Sequence, residues 1–375
     1  MRIALLVSSM GGGGAERVAT TLANAWVRVG HDVTLVPTYL GGHAASYSTR
    51  DDVAVARLEK FFSKRAARIS GQVPAKLQAL RRLVTGFSPD VVVSFLTNVN
   101  IMAIIALAGT NKPLVISERV DVTAGVEMSG LLKAGRRALY QFADSLVIQT
   151  EDAASRYRQH IFRIPQTAVI PNPLPQELHQ SGSRASHQGR GGTIVSMGRL
   201  VPQKQFHQLI TAFAQTFRND PAWQLTIWGE GPQRGPLQGW IDELQMQERI
   251  RLPGVASSPW DCLSAAQIFV LSSAYEGFPN AMLEAMALGM PCVAYDCPSG
   301  PKDLADGGAA AVLVPTGDVG SLAAALRTLA DEPAQRARLG AVAAESVRER
   351  FSEAAILSKW DTLFAMLQKK HRVKG

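Results

Sequence analysis

Ala274-Tyr-Glu276-Gly-Phe-Pro-Asn-Ala-Met-Leu-Glu284-Ala-Met-Ala-Leu-Gly289 follows the apolar run Ile268–Leu271, which reads as a buried strand, and runs into Ala281–Leu288, which reads as a helix. Pro279 separates the two, because proline is rejected from a helix interior but accepted in the first turn, where its missing N–H is not needed. The stretch is therefore strand, loop, helix, with Glu276 in the loop and Glu284 about one turn into the helix. In an open parallel sheet, ligands bind outside the carboxyl ends of the strands. Both carboxylates are then expected to face one cleft, beside free N–H groups at a helix start. Those groups favour an anion such as phosphate. Two glutamates would repel it, so they fit better as acceptors for hydroxyl groups on the rest of the ligand.

The same alternation extends in both directions. Before the stretch come strands Ile194–Met197, Gln224–Trp228 and Ile250–Leu252, with helices Lys204–Phe217 and Pro236–Leu244. After it come strands Cys292–Tyr295 and Ala311–Val314 and helices Val319–Leu329 and Pro333–Arg350. Nearer the start, strand Arg2–Ser8, a glycine loop, helix Ala15–Val29 and strand Val33–Pro37 form a strand–helix–strand unit, which implies a parallel sheet. Val91–Phe95, Leu114–Ser117, Ser145–Thr150 and Thr167–Ile170 continue it. The chain thus reads as α/β, with a first domain over 1–171, a linker over 172–192 rich in Ser, Gln, Gly and His, and a second domain over 193–350. A terminal helix in 351–375 is expected to pack back on the first domain. Two doubly wound domains make a deep inter-domain cleft the expected ligand site.

At 375 residues, two domains of ordinary size are the natural expectation, and 46% hydrophobic residues supply ample core. A net charge of +8 and a pI near 9.6 call for an anionic partner: a nucleotide, a nucleic acid or a membrane surface. Cys262, Cys292 and Cys297 form neither a metal-ligand set nor a disulfide framework, and read as thiols of a reducing cytosol. The apolar run after Met1 is too short for a signal peptide, and Val91–Ala108 is broken by Thr97, Asn98 and Asn100.

Three further motifs carry chemistry. Gly11-Gly-Gly-Gly-Ala-Glu16 fails the dinucleotide fingerprint, whose sixth place would be Glu16 or Arg17. What remains is a loop without side chains, including Gly13 and Gly14, whose backbone can approach a ligand; a plain turn is the alternative. Gly198-Arg199-Leu-Val-Pro-Gln-Lys204 follows a strand, and its two cations can neutralise a diphosphate, Arg as a planar fork and Lys as a point charge. Arg251-Leu-Pro-Gly254-Val255 ends another strand and is by itself a weak signal.

The spacing of Glu276 and Glu284 resembles the sugar-donor signature of retaining glycosyltransferase family 4, and Gly198–Lys204 is similar to that family's Gly-Arg-Leu…Gln-Lys-Gly element. The resemblance covers nearly the whole chain and implies the GT-B fold, two Rossmann-like domains facing a deep inter-domain cleft. It implies transfer, with retention, of a hexose or N-acetylhexosamine from a nucleotide sugar, UDP-linked on resemblance alone. The acceptor would be a glycan or polyprenyl-diphosphate-linked glycan of cell-surface polysaccharide or glycolipid synthesis. Arg199 and Lys204 would hold the diphosphate and Glu284 the ribose hydroxyls. Glu276 would accept from a sugar hydroxyl rather than attack. The backbone of Gly277, Phe278 and Asn280 would face sugar and phosphates, Gly254 and Val255 the nucleobase, and Gly13 and Gly14 the donor phosphate and acceptor. Gln205 stands where the family commonly has Gly. Ser117-Glu118-Arg119 stands where relatives carry Ser-x-His, and Glu118 and Arg119 are assigned to acceptor positioning.

No D-x-D triplet occurs, so no metal and no cofactor are expected, and the leaving diphosphate would be met by Arg199, Lys204 and helix N–H groups. Two rivals are a GT-B-fold nucleotide-sugar epimerase, whose acid and base groups the motifs do not supply, and a non-catalytic nucleotide-sugar-binding protein. A decayed relative would have little use for all of Glu276, Glu284, Arg199 and Lys204. Nucleic acid is not expected, since basic residues are not interleaved with aromatics. Residues 57–82 hold Arg57, Lys60, Lys64, Arg65, Arg68, Lys76, Arg81 and Arg82 against one acid, Glu59, with Leu58, Phe61, Phe62 and Ile69 between them. That pattern suits a segment lying on an anionic membrane, so peripheral binding at the cytoplasmic face is expected; a solvated helix face is the alternative.

Overall fold

Short apolar strands joined by helical crossovers run parallel, and the helices then cover both faces of the sheet. The computed structural model has two such sheets, one in each of two units: Met1–Pro173 with Glu353–Gly375, and Leu174–Ser352. It describes residues 1–11, 13–39, 48–62, 68, 71–119, 122, 128–161, 166–180 and 192–374.

In the first unit, β1 (Arg2–Val7), β2 (Asp32–Pro37), β3 (Ala54–Val55), β4 (Val91–Phe95), β5 (Leu114–Ser117), β6 (Ser145–Ile148) and β7 (Gln166–Val169) form a parallel sheet in the order β3-β2-β1-β4-β5-β6-β7. Leu5 pairs with Leu35 on one side and Val93 on the other. One face is covered by helix Gly14–Arg28 and by the last helix, Glu353–Lys374. Trp26 meets Trp360 edge-to-face with centroids 5.4 Å apart, a geometry that adds to the apolar burial. Arg28 Nε donates to Glu353 Oε1 at 3.1 Å beside it. Helices Gln72–Phe87 and Thr97–Leu107 cover the other face through Leu80, Leu83, Val84, Val99 and Ala103.

The second unit orders β8 (Gly192–Met197), β9 (Trp223–Trp228), β10 (Ile250–Gly254), β11 (Ile268–Leu271), β12 (Cys292–Tyr295) and β13 (Val312–Val314) as β10-β9-β8-β11-β12-β13, again all parallel. In both sheets the order reverses beside the first strand, between β1 and β4 and between β8 and β11. These are the switch points at which an open parallel sheet leaves room for a ligand.

Three local departures from the sequence reading have physical causes. Leu174 and Leu178, in the segment read as linker, are buried in the second unit's core, and helix Gln176–Gln180 lies among them; residues 181–191 fall outside the described residues. The helix expected from Lys204 starts at Phe206, because Pro202–Lys204 is a separate 3-10 turn and Gln205 takes φ 47°, ψ 37°. A short helix, Pro259–Ser264, lies between β10 and β11, where the apolar signal was too brief to show a period. Among the described residues, no helix is long and apolar enough to cross a membrane; Val91–Ala108 is β4 followed by helix Thr97–Leu107.

Candidate active site

The second unit's site is built from the chain after β8 and after β11, which are neighbours in the sheet, with Phe269 paired to Val195. After β8, Gly198 N donates to Trp228 O at 2.9 Å and Leu200 N to Glu230 O at 2.8 Å. A Cβ on Gly229 would stand 1.8 Å from Gly198 O, so the loop after β9 can pass under this segment only as glycine. The following turn is then stitched to the loop after β11. Gln203 Nε2 donates to Tyr275 O at 2.7 Å, Ala274 N to Gln203 O at 2.8 Å, and Ser272 Oγ to Lys204 O at 2.8 Å.

These bonds bring Lys204 and Glu276 together: Nζ lies 2.6 Å from Oε1, with the side chains only 17% and 8% exposed. Ser273 Oγ donates to the same oxygen at 2.6 Å. A pair this sheltered from water is held far more firmly than a surface ion pair. Arg199, by contrast, is exposed and has no ion-pair partner among the described residues. Cys297 is buried beside them; burial, reinforced by the Glu276 carboxylate, pushes its thiol up to about 12, which makes it inert near neutral pH.

Helix Asn280–Ala287 carries Glu284, which is 1% exposed and accepts from the indole Nε1 of Trp260 at 3.1 Å. Phe278 turns inward, its ring 5.7 Å from that of Phe351, which leaves backbone rather than side chain at this point of the loop. Gly277 and Asn280 flank it, half-buried. Gly300, at φ +112°, lies where a Cβ would come 2.5 Å from Pro279, so the loop after β12 packs directly on the helix entry. Gly254 is buried, and its carbonyl accepts from Gly229 N at 2.8 Å, while the neighbouring Val255 is 73% exposed.

The first unit's residues behave differently. Gly13 caps helix Gly14–Arg28, and Glu16 folds back across it to accept from Ser8 Oγ at 2.8 Å and Ser9 Oγ at 3.2 Å. A Cβ at Gly13 would meet Glu16 Oε2 at 2.1 Å; Gly12 lies outside the described residues. Glu118 is 2% exposed and turned into the unit. Its Oε1 accepts from Thr97 Oγ1 at 2.7 Å and from the Tyr140 hydroxyl, and Asn100 Nδ2 donates to Tyr140 at 3.1 Å. Burial raises the Glu118 carboxyl above its ordinary value and the Tyr140 phenol well above its own. Arg119 lies 3.8 Å over the Phe95 ring and donates to Asn172 Oδ1, while among the described residues its buried Nε and Nη2 have no hydrogen-bond partner. Burial pulls this guanidinium down to about 9.

Trp260, Ser273, Gln203 and Tyr140 escaped the sequence reading. Each acts through a contact of long sequence separation or by a residue type with no spacing rule, so only the folded chain shows it. In the basic segment, Leu58 is buried in the core, Arg81 donates to Ala106 O at 3.1 Å and Ala108 O at 2.7 Å, and burial lowers the Lys76 ammonium. Phe61 is exposed, whereas Lys64, Arg65 and Ile69 lie outside the described residues.

Residues 184–346 match the family described as glycosyl transferases group 1, and residues 13–173 match the glycosyl transferase 4-like domain. Over 227 residues the chain is 37% identical to a lipopolysaccharide core biosynthesis glycosyltransferase of Rhizobium meliloti, covering 60% of this chain and 64% of that one. It is 26% identical to an alpha-1,4-N-acetyl-D-galactosaminyltransferase of Campylobacter jejuni acting on an undecaprenol-diphosphate-linked glycan, over 81% of this chain and 82% of that one. Among solved structures it is similar to HepE of Anabaena in complex with UDP, with TM-score 0.78 at 20% identity, over 98% of this chain and 100% of that one. The chain spans less than two thirds of the length of the first curated relatives it matches.

Proposed function

That the chain belongs to the glycosyltransferases of family 4 type with the GT-B fold is the premise from which we propose that it transfers a sugar from a nucleotide sugar to a glycan or lipid-linked acceptor. The relatives act in lipopolysaccharide and lipid-linked glycan synthesis, and HepE was solved with UDP, which favours a UDP-linked hexose or N-acetylhexosamine here. The observation that carries the reading is the sheltered Lys204–Glu276–Ser273 cluster at the β8/β11 switch point, with the Glu284 carboxylate on the adjoining helix.

In this reading Arg199 and Lys204 meet the diphosphate as the bond from the anomeric carbon to its oxygen breaks, which stabilises charge where it develops. Glu276 accepts from a hydroxyl of the transferred sugar and Glu284 from the ribose. The acceptor hydroxyl attacks from the face the leaving group vacates, its proton passing to the departing phosphate oxygen, so configuration is retained without a protein nucleophile. In this reading no metal is required, since the chain has no D-x-D triplet and the two cations meet the diphosphate charge. Arg119 orients the acceptor, and the basic segment 57–82 draws the protein to an anionic, cytoplasmic membrane face.

Nucleotide release should be assayed with UDP-, GDP- and ADP-sugars, with and without polyprenyl-diphosphate glycans and EDTA. Acceptor-dependent UDP release that EDTA leaves intact, giving a product of unchanged anomeric configuration and retained on anionic vesicles at low salt, is expected. No release from any sugar nucleotide, or its loss with EDTA, overturns the reading.

A further inference from the structure

Glu284 sits in the middle of a helix with Leu283, Ala285 and Met286 buried around it, and is itself 1% exposed. For folding alone this place suits leucine, since a buried carboxylate costs free energy unless it is hydrogen-bonded. A polar group from outside its own helix faces it: Trp260 Nε1 donates to Oε2 at 3.1 Å. Trp260 is held firmly. Pro259 opens the short helix Pro259–Ser264, Cys262 N donates to Ser258 O at 3.1 Å, and Leu263, three residues on and on the same side, is fully buried. The indole also packs on the core that contains Met282 and Leu283.

An indole N–H can only donate. It therefore fixes one carboxylate oxygen of Glu284 and with it the rotation of the whole group about its last bond, a freedom that burial alone does not remove. We propose that Trp260 is a positioning residue for the ribose of the sugar donor: by holding Oε2 it sets the plane in which Glu284 receives the ribose hydroxyls. The proposal rests on Glu284 taking the ribose and adds the residue that makes it selective for ribose over a sugar without those hydroxyls.

Binding of UDP, GDP and ADP and of their 2′,3′-dideoxy forms should be measured by calorimetry on wild type, Trp260→Phe, Glu284→Gln and the double variant. The ratio of the two affinities is internal to each protein and so does not depend on the fraction folded. The wild type should prefer the ribose form of its nucleotide by about tenfold or more, as for a hydrogen bond to a charged group. Trp260→Phe should lose most of that preference, and the double variant should be no worse than Glu284→Gln. In the wild type, the one indole N–H resonance that Trp260→Phe deletes should shift on nucleotide binding and in Glu284→Gln. A full ribose preference in Trp260→Phe together with its loss in Glu284→Gln overturns the role of Trp260 and leaves Glu284 standing. A full preference in Glu284→Gln removes the ribose assignment itself, and the proposal with it.

Discussion

Glu276 and Glu118 occupy matching places, each in the loop after a strand at the carboxyl edge of its sheet, yet they do opposite work. Glu276 is paired with Lys204 and Ser273, while Arg199, on the same segment as Lys204, stands exposed. Glu118 is bound by Thr97 and Tyr140 inside its unit, in a network that continues to Asn100 and Ser94. A carboxylate paired with a flexible lysine can exchange that cation for a ligand. One satisfied by two hydroxyl groups in a core cannot leave without stranding them. The residue type is therefore uninformative, and the partners decide. In the first unit the charged group with unmet donors among the described residues is Arg119, so we propose that Arg119 orients the acceptor and that Glu118 stays with its hydroxyl partners.

The largest effect that tests this contrast is on turnover. Lys204→Ala and Arg199→Ala should each slow the reaction by about ten- to a thousandfold, the range for removing a group that meets developing charge. Glu276→Gln should slow it comparably while tightening the free nucleoside diphosphate by about two- to fivefold, because Lys204 loses the partner with which the diphosphate competes. Calorimetry and steady-state kinetics on the same samples decide. Weaker nucleotide binding in Glu276→Gln would mean that the pair holds Lys204 in place rather than restrains it.

The core variant should give the reverse signature. Glu118→Ala leaves the Tyr140 and Thr97 hydroxyls unpaired and should cost about 2–4 kcal/mol of stability, whereas Glu118→Gln keeps an acceptor oxygen and should cost less. The pH dependence has a definite sign. Burial raises the folded carboxyl above its unfolded value, so the folded state binds the extra proton. Its contribution is most favourable below the unfolded value and is lost as pH rises through the window up to the raised one. Denaturant midpoints of the wild type should carry that decline, and those of Glu118→Gln should not. A wild-type curve no steeper than the variant's would place the charged form in the folded state.

Much of this was legible beforehand. Buried parallel strands write themselves as apolar runs, and Val91–Phe95, Leu114–Ser117, Ile268–Leu271 and Cys292–Tyr295 fall where those runs do. Arg199, Lys204, Glu276 and Glu284 stand out in the sequence because they ride on local motifs. Three features were not legible: the meeting of Lys204 with Glu276 at |i−j| of 72, the indole on Glu284, and the inward turn of Glu118. Each depends on which strands are neighbours, and strand order leaves no mark on local periodicity. The burial of Leu174 and Leu178 is hidden for a related reason, since two leucines in a polar run show no period.

The smallest effect concerns a residue beside the site rather than in it. Gln205 joins the Lys204 turn to helix Phe206–Phe217 at φ 47°, ψ 37°, left-handed backbone that costs a side chain about 1–2 kcal/mol relative to glycine. Among the described residues its buried Oε1 has no hydrogen-bond partner, so the side chain does not recover that cost through its polar end. Glycine removes both penalties and gives up only the contacts of two methylenes and some unfolded-state entropy. Gln205→Gly should therefore raise stability by about 1 kcal/mol, or about 2–4 °C in the melting midpoint of a unit this size. The Lys204 ammonium is fixed by Glu276, and the Lys204 carbonyl by Ser272. Turnover should accordingly change less than twofold. A lower midpoint would show that Gln205 makes a compensating contact. An unchanged midpoint with a large loss of rate would show instead that its side chain, and not only the turn it forms, belongs to the sugar-donor site.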